Sequence, residues 1–131
     1  MAVKGITALY VLLLSIIIYL ANHREYYGVF AAIRAVSGGD KLGHFLLMGL
    51  FSYLVNVSLR SRILTLRSQP LLLGSVIVYL AVTLEEFSQI CLRHRSFDLL
   101  DLFCDYAGIW LFGRVAALHC SRIPGSRMSR G

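Results

Sequence analysis

The sequence predicts an all-α membrane protein, with four transmembrane helices and a short interfacial helix between the first and second. Composition is the first reason. The 131 residues are 57% hydrophobic and 15% charged, with a mean hydropathy of +0.70, whereas soluble domains average about 25% charged residues. The second reason is length: the chain divides into four apolar stretches of roughly 20 residues, the number needed to cross a bilayer. The third is that the basic residues flank those stretches, as membrane topology requires.

Net charge is +6 and the pI near 9.6. A nucleic-acid partner is not expected, because these bases form no stripe interleaved with stacking aromatics. Cys91, Cys104 and Cys120 are odd in number and lack ligand-type spacing, so neither a disulfide framework nor a zinc motif is indicated.

Gly5 to Ala21 is an uncharged run preceded by Lys4 and followed by Asn22, His23 and Arg24, and is read as the first span. Cleavage after Ala21 would place Tyr19 where a signal peptidase wants a small residue. Glu25 to Ser37 is too short and polar to cross. Tyr27, Phe30, Ile33 and Val36 line one side of it, which suits a helix lying in the headgroup region. Asp40 to about Leu59 is the second span. Arg60 to Gln69 is a basic linker with no acid, and Pro70 stands where a helix start tolerates proline. Pro70 to about Cys91 is the third span, Leu92 to Phe97 a short loop, and Asp98 to about Leu118 the fourth span. Residues 1–118 thus form one transmembrane domain, and residues 119–131 a basic cytoplasmic tail expected to be disordered.

Counting bases orients the spans. Lys4, Arg60, Arg62, Arg67, Arg114, Arg122, Arg127 and Arg130 fall on one side, and Arg24, Arg34, Lys41, Arg93 and Arg95 on the other. Both termini are therefore expected in the cytoplasm. All seven acids, Glu25, Asp40, Glu85, Glu86, Asp98, Asp101 and Asp105, lie toward the outer side.

At about 1.5 Å rise per residue, His44, Glu86 and Asp105 reach comparable depth from three different helices. Glu86, Gln89 and Arg93 follow i, i+3, i+7 spacing and Glu85, Gln89 and Arg93 i, i+4, i+8, so either glutamate could share that face, and Asp98, Asp101, Asp105 and Gly108 make one continuous stripe. Gly108 would let a neighbouring helix approach beneath the acids. Capping and the helix dipole account for Asp40, Asp98 and Asp101 without invoking function, and Arg93 and Arg95 suit interfacial cations. Glu86, Gln89 and Asp105 lie inside their helices, where capping offers no explanation and ionisable groups are costly.

The order of these residues carries a resemblance. Asp40, Lys41, His44 and Phe45 read as D-K-x-x-H-F, Glu86 and Gln89 as E-x-x-Q, and Arg95, Ser96, Phe97, Asp98, Asp101 and Gly108 follow. Over about residues 40–113 the chain resembles the VanZ-like family of small bacterial membrane proteins, named for a teicoplanin resistance protein. The resemblance implies a cell-envelope role in the bacterial inner membrane and no particular reaction; antibiotic resistance does not follow from it. Two departures stand out: the family usually has asparagine where this chain has Asp105, and often a proline before the arginine loop, here Leu92 to His94.

The leading expectation is a site at the outer leaflet that binds or modifies an amphiphilic envelope molecule, such as a lipid-linked glycan or a phospholipid headgroup. Lys41 and Arg95 would contact phosphate or carboxylate, with Asp40, Gln89, Asp98, Asp101 and Asp105 completing the ligand-binding set. His44 and Glu86 would be the acid/base pair of any reaction, although no nucleophile motif is present. No cofactor is expected; Asp98, Asp101 and Asp105 are the oxygen ligands available to a divalent cation, but no motif calls for one. The alternatives are a structural subunit whose buried ion network fixes helix packing against a partner membrane protein, and a small ion- or proton-conducting oligomer.

Overall fold

The protein is described here by a computed structural model, covering residues 2–21, 28, 32, 38–66, 69–89 and 98–122. It is all-α apart from one hairpin. Helix α1 spans Ala2–Ala21, α2 Gly39–Ser58, α3 Leu73–Gln89 and α4 Leu99–Arg122, with strands β1 Ile63–Leu66 and β2 Gln69–Leu72 between α2 and α3. Of the expected interfacial helix, only Gly28 and Ala32 are described, both helical. Cys91, Arg93, Arg95 and the tail beyond Arg122 lie outside the described residues.

Gly38 starts α2 from a left-handed conformation, φ 76°, which costs glycine little. Its carbonyl accepts the first helical hydrogen bond, from the amide of Leu42 at 3.0 Å. Arg60 and Ser61, at φ 52° and 49°, end the helix; the amide of Ser61 reaches back to the carbonyl of Asn56 at 2.7 Å. The segment that follows is not the plain linker expected from its arginines. Ile63 to Leu66 is aliphatic and β-branched, which suits a strand, and pairs antiparallel with Gln69 to Leu72, Ile63 opposite Leu72 and Thr65 opposite Pro70. Pro70 therefore sits in a two-stranded ribbon, where an edge position tolerates its missing N–H, and does not open the third helix. That helix begins at Leu73, whose amide donates to the carbonyl of Arg62 at 2.9 Å and closes the ribbon onto it.

Side-chain contacts fix the directions of the helices. Thr7 meets Ser58, and Tyr10 donates to the carbonyl of Leu47, so α1 and α2 are antiparallel. Lys41 meets Asp101, His44 meets Asp105 and Tyr53 meets His119, so α2 and α4 run parallel. Asn56 meets Ser75, and Thr83 meets Tyr106, so α3 runs against both. The consequence is that the N-terminal ends of α2 and α4 gather with the C-terminal end of α3.

The α2–α4 contact is the most extensive in the molecule, and Gly108 makes it possible. A Cβ at Gly108 would fall on the carbonyl of Phe45 and lie 3.2 Å from the amide nitrogen of Gly49. Beside this contact, Val78, Val82 and Ile109 form the apolar core, flanked by Met48, Phe51, Val55, Tyr79 and Leu102. Among the described residues, α1 is the one helix long and apolar enough to cross a membrane by length and composition. The other three are diluted by the polar groups they carry or, in α3, are described over 17 residues.

Candidate functional site

At the end where α2 and α4 begin, Asp98 stands one residue before α4 and caps it. Its Oδ1 accepts from the amide of Leu100 at 2.8 Å, as an N-cap side chain does. That bond, reinforced by the Lys41 ammonium, holds the Asp98 carboxyl below the ordinary aspartate range. Lys41, in the first turns of α2, reaches across to Asp98 Oδ2 at 3.5 Å and to Asp101 Oδ1 at 3.2 Å. One turn deeper, His44 Nδ1 lies 3.1 Å and 3.2 Å from the two oxygens of Asp105, while its Nε2 is 3.8 Å from Asp101 Oδ2. Asp40 contributes a carboxylate oxygen, and Asp40, His44 and Asp101 each bring one donor atom to within 4.8 Å of the others.

Glu86 enters from α3. Only 1% of it is exposed, and its Oε1 accepts from the amide of Asp98 at 3.2 Å, so it faces the bundle and ties the end of α3 to the start of α4. Burial deepens along the α4 stripe: the side chain of Asp98 is 41% exposed, that of Asp101 13% and that of Asp105 3%. Beneath Asp105 the close approach of Gly108 to α2 closes the cluster.

The structure thus brings together Asp40, Lys41, His44, Glu86, Asp98, Asp101 and Asp105 from three helices. Gln89 is the last residue of α3, with its side chain outside the described residues, as is Arg95. Of the three aspartates considered as cation ligands, Asp98 is engaged in capping and with Lys41, and Asp105 with the imidazole; Asp101 faces the His44 Nε2 and Asp40.

A second polar group escaped the sequence reading. Asn56 Nδ2 donates to the carbonyl of Ser52 at 2.9 Å and to Ser75 Oγ at 2.9 Å, and Ser52 Oγ donates to the carbonyl of Ile109 at 3.1 Å. Asn56 and Ser52 are wholly buried. The available signal was Asn56 itself, a polar residue among aliphatic ones near the end of an apolar run. Ser52 lies four residues earlier on the same helix, whereas Ser75 comes from α3 and leaves no local pattern.

No protein-family model, curated protein or solved structure matches the chain, so the resemblance to the VanZ-like family rests on the motif residues alone.

Proposed function

We propose that this chain is a multi-pass, VanZ-like protein of the bacterial inner membrane, whose carboxylate-rich cluster binds the headgroup of an amphiphilic envelope molecule, a lipid-linked glycan or a phospholipid, at the outer leaflet. The observation that carries the reading is an inverted distribution of polarity. Glu86, Asp101, Asp105, Ser52, Asn56 and Ser75 are buried, while Leu9, Leu84, Leu99 and Phe103 are each 68% to 70% exposed. In water, apolar exposure on this scale would drive association. In hydrocarbon the same arrangement is the stable one, because apolar side chains meet acyl chains and polar groups satisfy one another inside.

Dimensions support the same reading. Twenty residues of α1 or α2 extend about 30 Å, and α3 about 25 Å, close to the hydrocarbon thickness of about 30 Å. Lys4, Arg60, Arg62, Arg114 and Arg122 belong to the end opposite the acids, a bias that favours cytoplasmic termini. The cluster then faces outward, with Lys41 as its cation for an anionic headgroup, and His44 and Glu86 as the proton-carrying pair if a reaction accompanies binding.

The pairing of His44 with Asp105 and of Lys41 with Asp98 and Asp101 also favours a second reading, an ionic brace in a subunit of a larger membrane complex. Native mass spectrometry of protein extracted with its lipids separates the two. On the binding reading, the wild-type chain retains an envelope lipid, and Glu86→Gln and Asp105→Asn lose it at normal membrane abundance. Loss of abundance in both variants, with no retained lipid in the wild type, assigns the cluster to the brace.

A further inference from the structure

We propose that Asp40, His44 and Asp101 form a binding site for a divalent transition-metal ion, with Asp105 as the positioning residue that fixes the imidazole for it. The inference goes beyond the headgroup reading and stands independently of it.

Asp105 sets the tautomer of His44. A carboxylate only accepts hydrogen bonds, so the ring nitrogen it faces, Nδ1, carries the proton. The partner left for the other side of the ring is Asp101, and the 3.8 Å from Nε2 to Asp101 Oδ2 is too long for a hydrogen bond. It is close to the separation of two ligands on one ion, since bonds of about 2.0 to 2.2 Å in a tetrahedral shell set donor atoms roughly 3.4 Å apart.

Asp40 supplies the third donor. It precedes His44 by four residues on α2, so the two share a helix face, and its carboxylate enters no hydrogen bond or ion pair among the described residues. Asp101 is already oriented: Lys41 holds Oδ1 at 3.2 Å, and Oδ2 turns toward the imidazole. Both central donors therefore have an outer partner, Asp105 for His44 and Lys41 for Asp101, the arrangement that orients ligands in metal sites. The His44 side chain is 21% exposed, which gives an ion access from the end of the bundle.

One imidazole nitrogen and two carboxylate oxygens suit zinc, manganese or iron(II). Magnesium and calcium prefer shells made of oxygen alone. Three protein ligands leave a coordination position open to water or to an anionic oxygen.

The test uses the full chain, purified in detergent, stripped with chelator and titrated with Co²⁺ or Zn²⁺, with bound metal counted by elemental mass spectrometry. The expected result is one ion per chain, with the visible absorption of a Co²⁺ complex holding nitrogen and oxygen ligands. Asp40→Asn and His44→Ala each weaken binding, and Asp105→Asn weakens it roughly 10- to 100-fold, while His119→Gln, at the far end of α4, leaves it unchanged. Asp40→Asn removes no contact that holds the fold, so its effect is readable even if His44→Ala fails to fold. Absence of saturable binding by the wild-type chain overturns the proposal, as does binding that persists undiminished in Asp40→Asn and His44→Ala or depends on His119.

Discussion

His44 on α2 and Asp105 on α4, separated by 61 positions in the chain, meet with Nδ1 3.1 Å from Oδ1. The contact joins the two parallel helices just above their closest backbone approach, so it reports directly on how they pack.

A double-mutant cycle between these residues should therefore give a large coupling. His44→Ala and Asp105→Ala each leave a charged or polar partner buried, and the double variant relieves that penalty. A coupling free energy of about 1 to 3 kcal/mol is expected, read by denaturant unfolding in detergent. Additive single effects would show that the two groups do not act as a pair.

Gly108 and Gly43 should respond oppositely to alanine. At Gly108 the added methyl group meets the Phe45 carbonyl, a backbone atom that cannot rotate aside, whereas at Gly43 nothing lies within 4 Å. Gly108→Ala is expected to cost about 1 to 3 kcal/mol by overpacking, and Gly43→Ala to gain up to about 1 kcal/mol from helix propensity. Thermal unfolding of the two variants side by side checks both signs.

Asp98 gives the stability a pH dependence of known direction. Its folded carboxyl is held low by the Leu100 amide and then by Lys41. The stabilisation is present above the ordinary aspartate value of about 3.9 and is lost as pH falls through the lower, folded value. Asp98→Asn should flatten the acid limb of a melting-temperature profile relative to wild type. An unchanged limb would assign the acid sensitivity elsewhere.

The orientation is open to cysteine labelling with a membrane-impermeant reagent, after Cys91, Cys104 and Cys120 are replaced by serine. Leu99→Cys should react from outside intact cells, and Lys4→Cys and Ser121→Cys only after the membrane is opened. Outside labelling at Lys4 or Ser121 would reverse the topology.

The helices were legible because their signal is local: α1 is a continuous apolar run, α2, α3 and α4 are mostly apolar runs interrupted by a few polar groups, and the spacing of Asp98, Asp101, Asp105 and Gly108 already describes one face of a helix. The hairpin at Ile63 to Leu72 was not legible, since Arg60, Arg62 and Arg67 read as a basic linker and the pairing of its two strands is a non-local choice. The same limit hid the bonds that carry Asn56 to Ser75 and Ser52 to Ile109.

The sequence by itself determined roughly where the four described helices form and that the acids of α2, α3 and the start of α4 gather at one end, because both follow from residue type and position in the chain. Which acid meets which base was decided only by the tertiary structure. The close approach at Gly108 sets the register of α2 against α4, and that register turns His44 toward Asp105 and Lys41 toward Asp98 and Asp101.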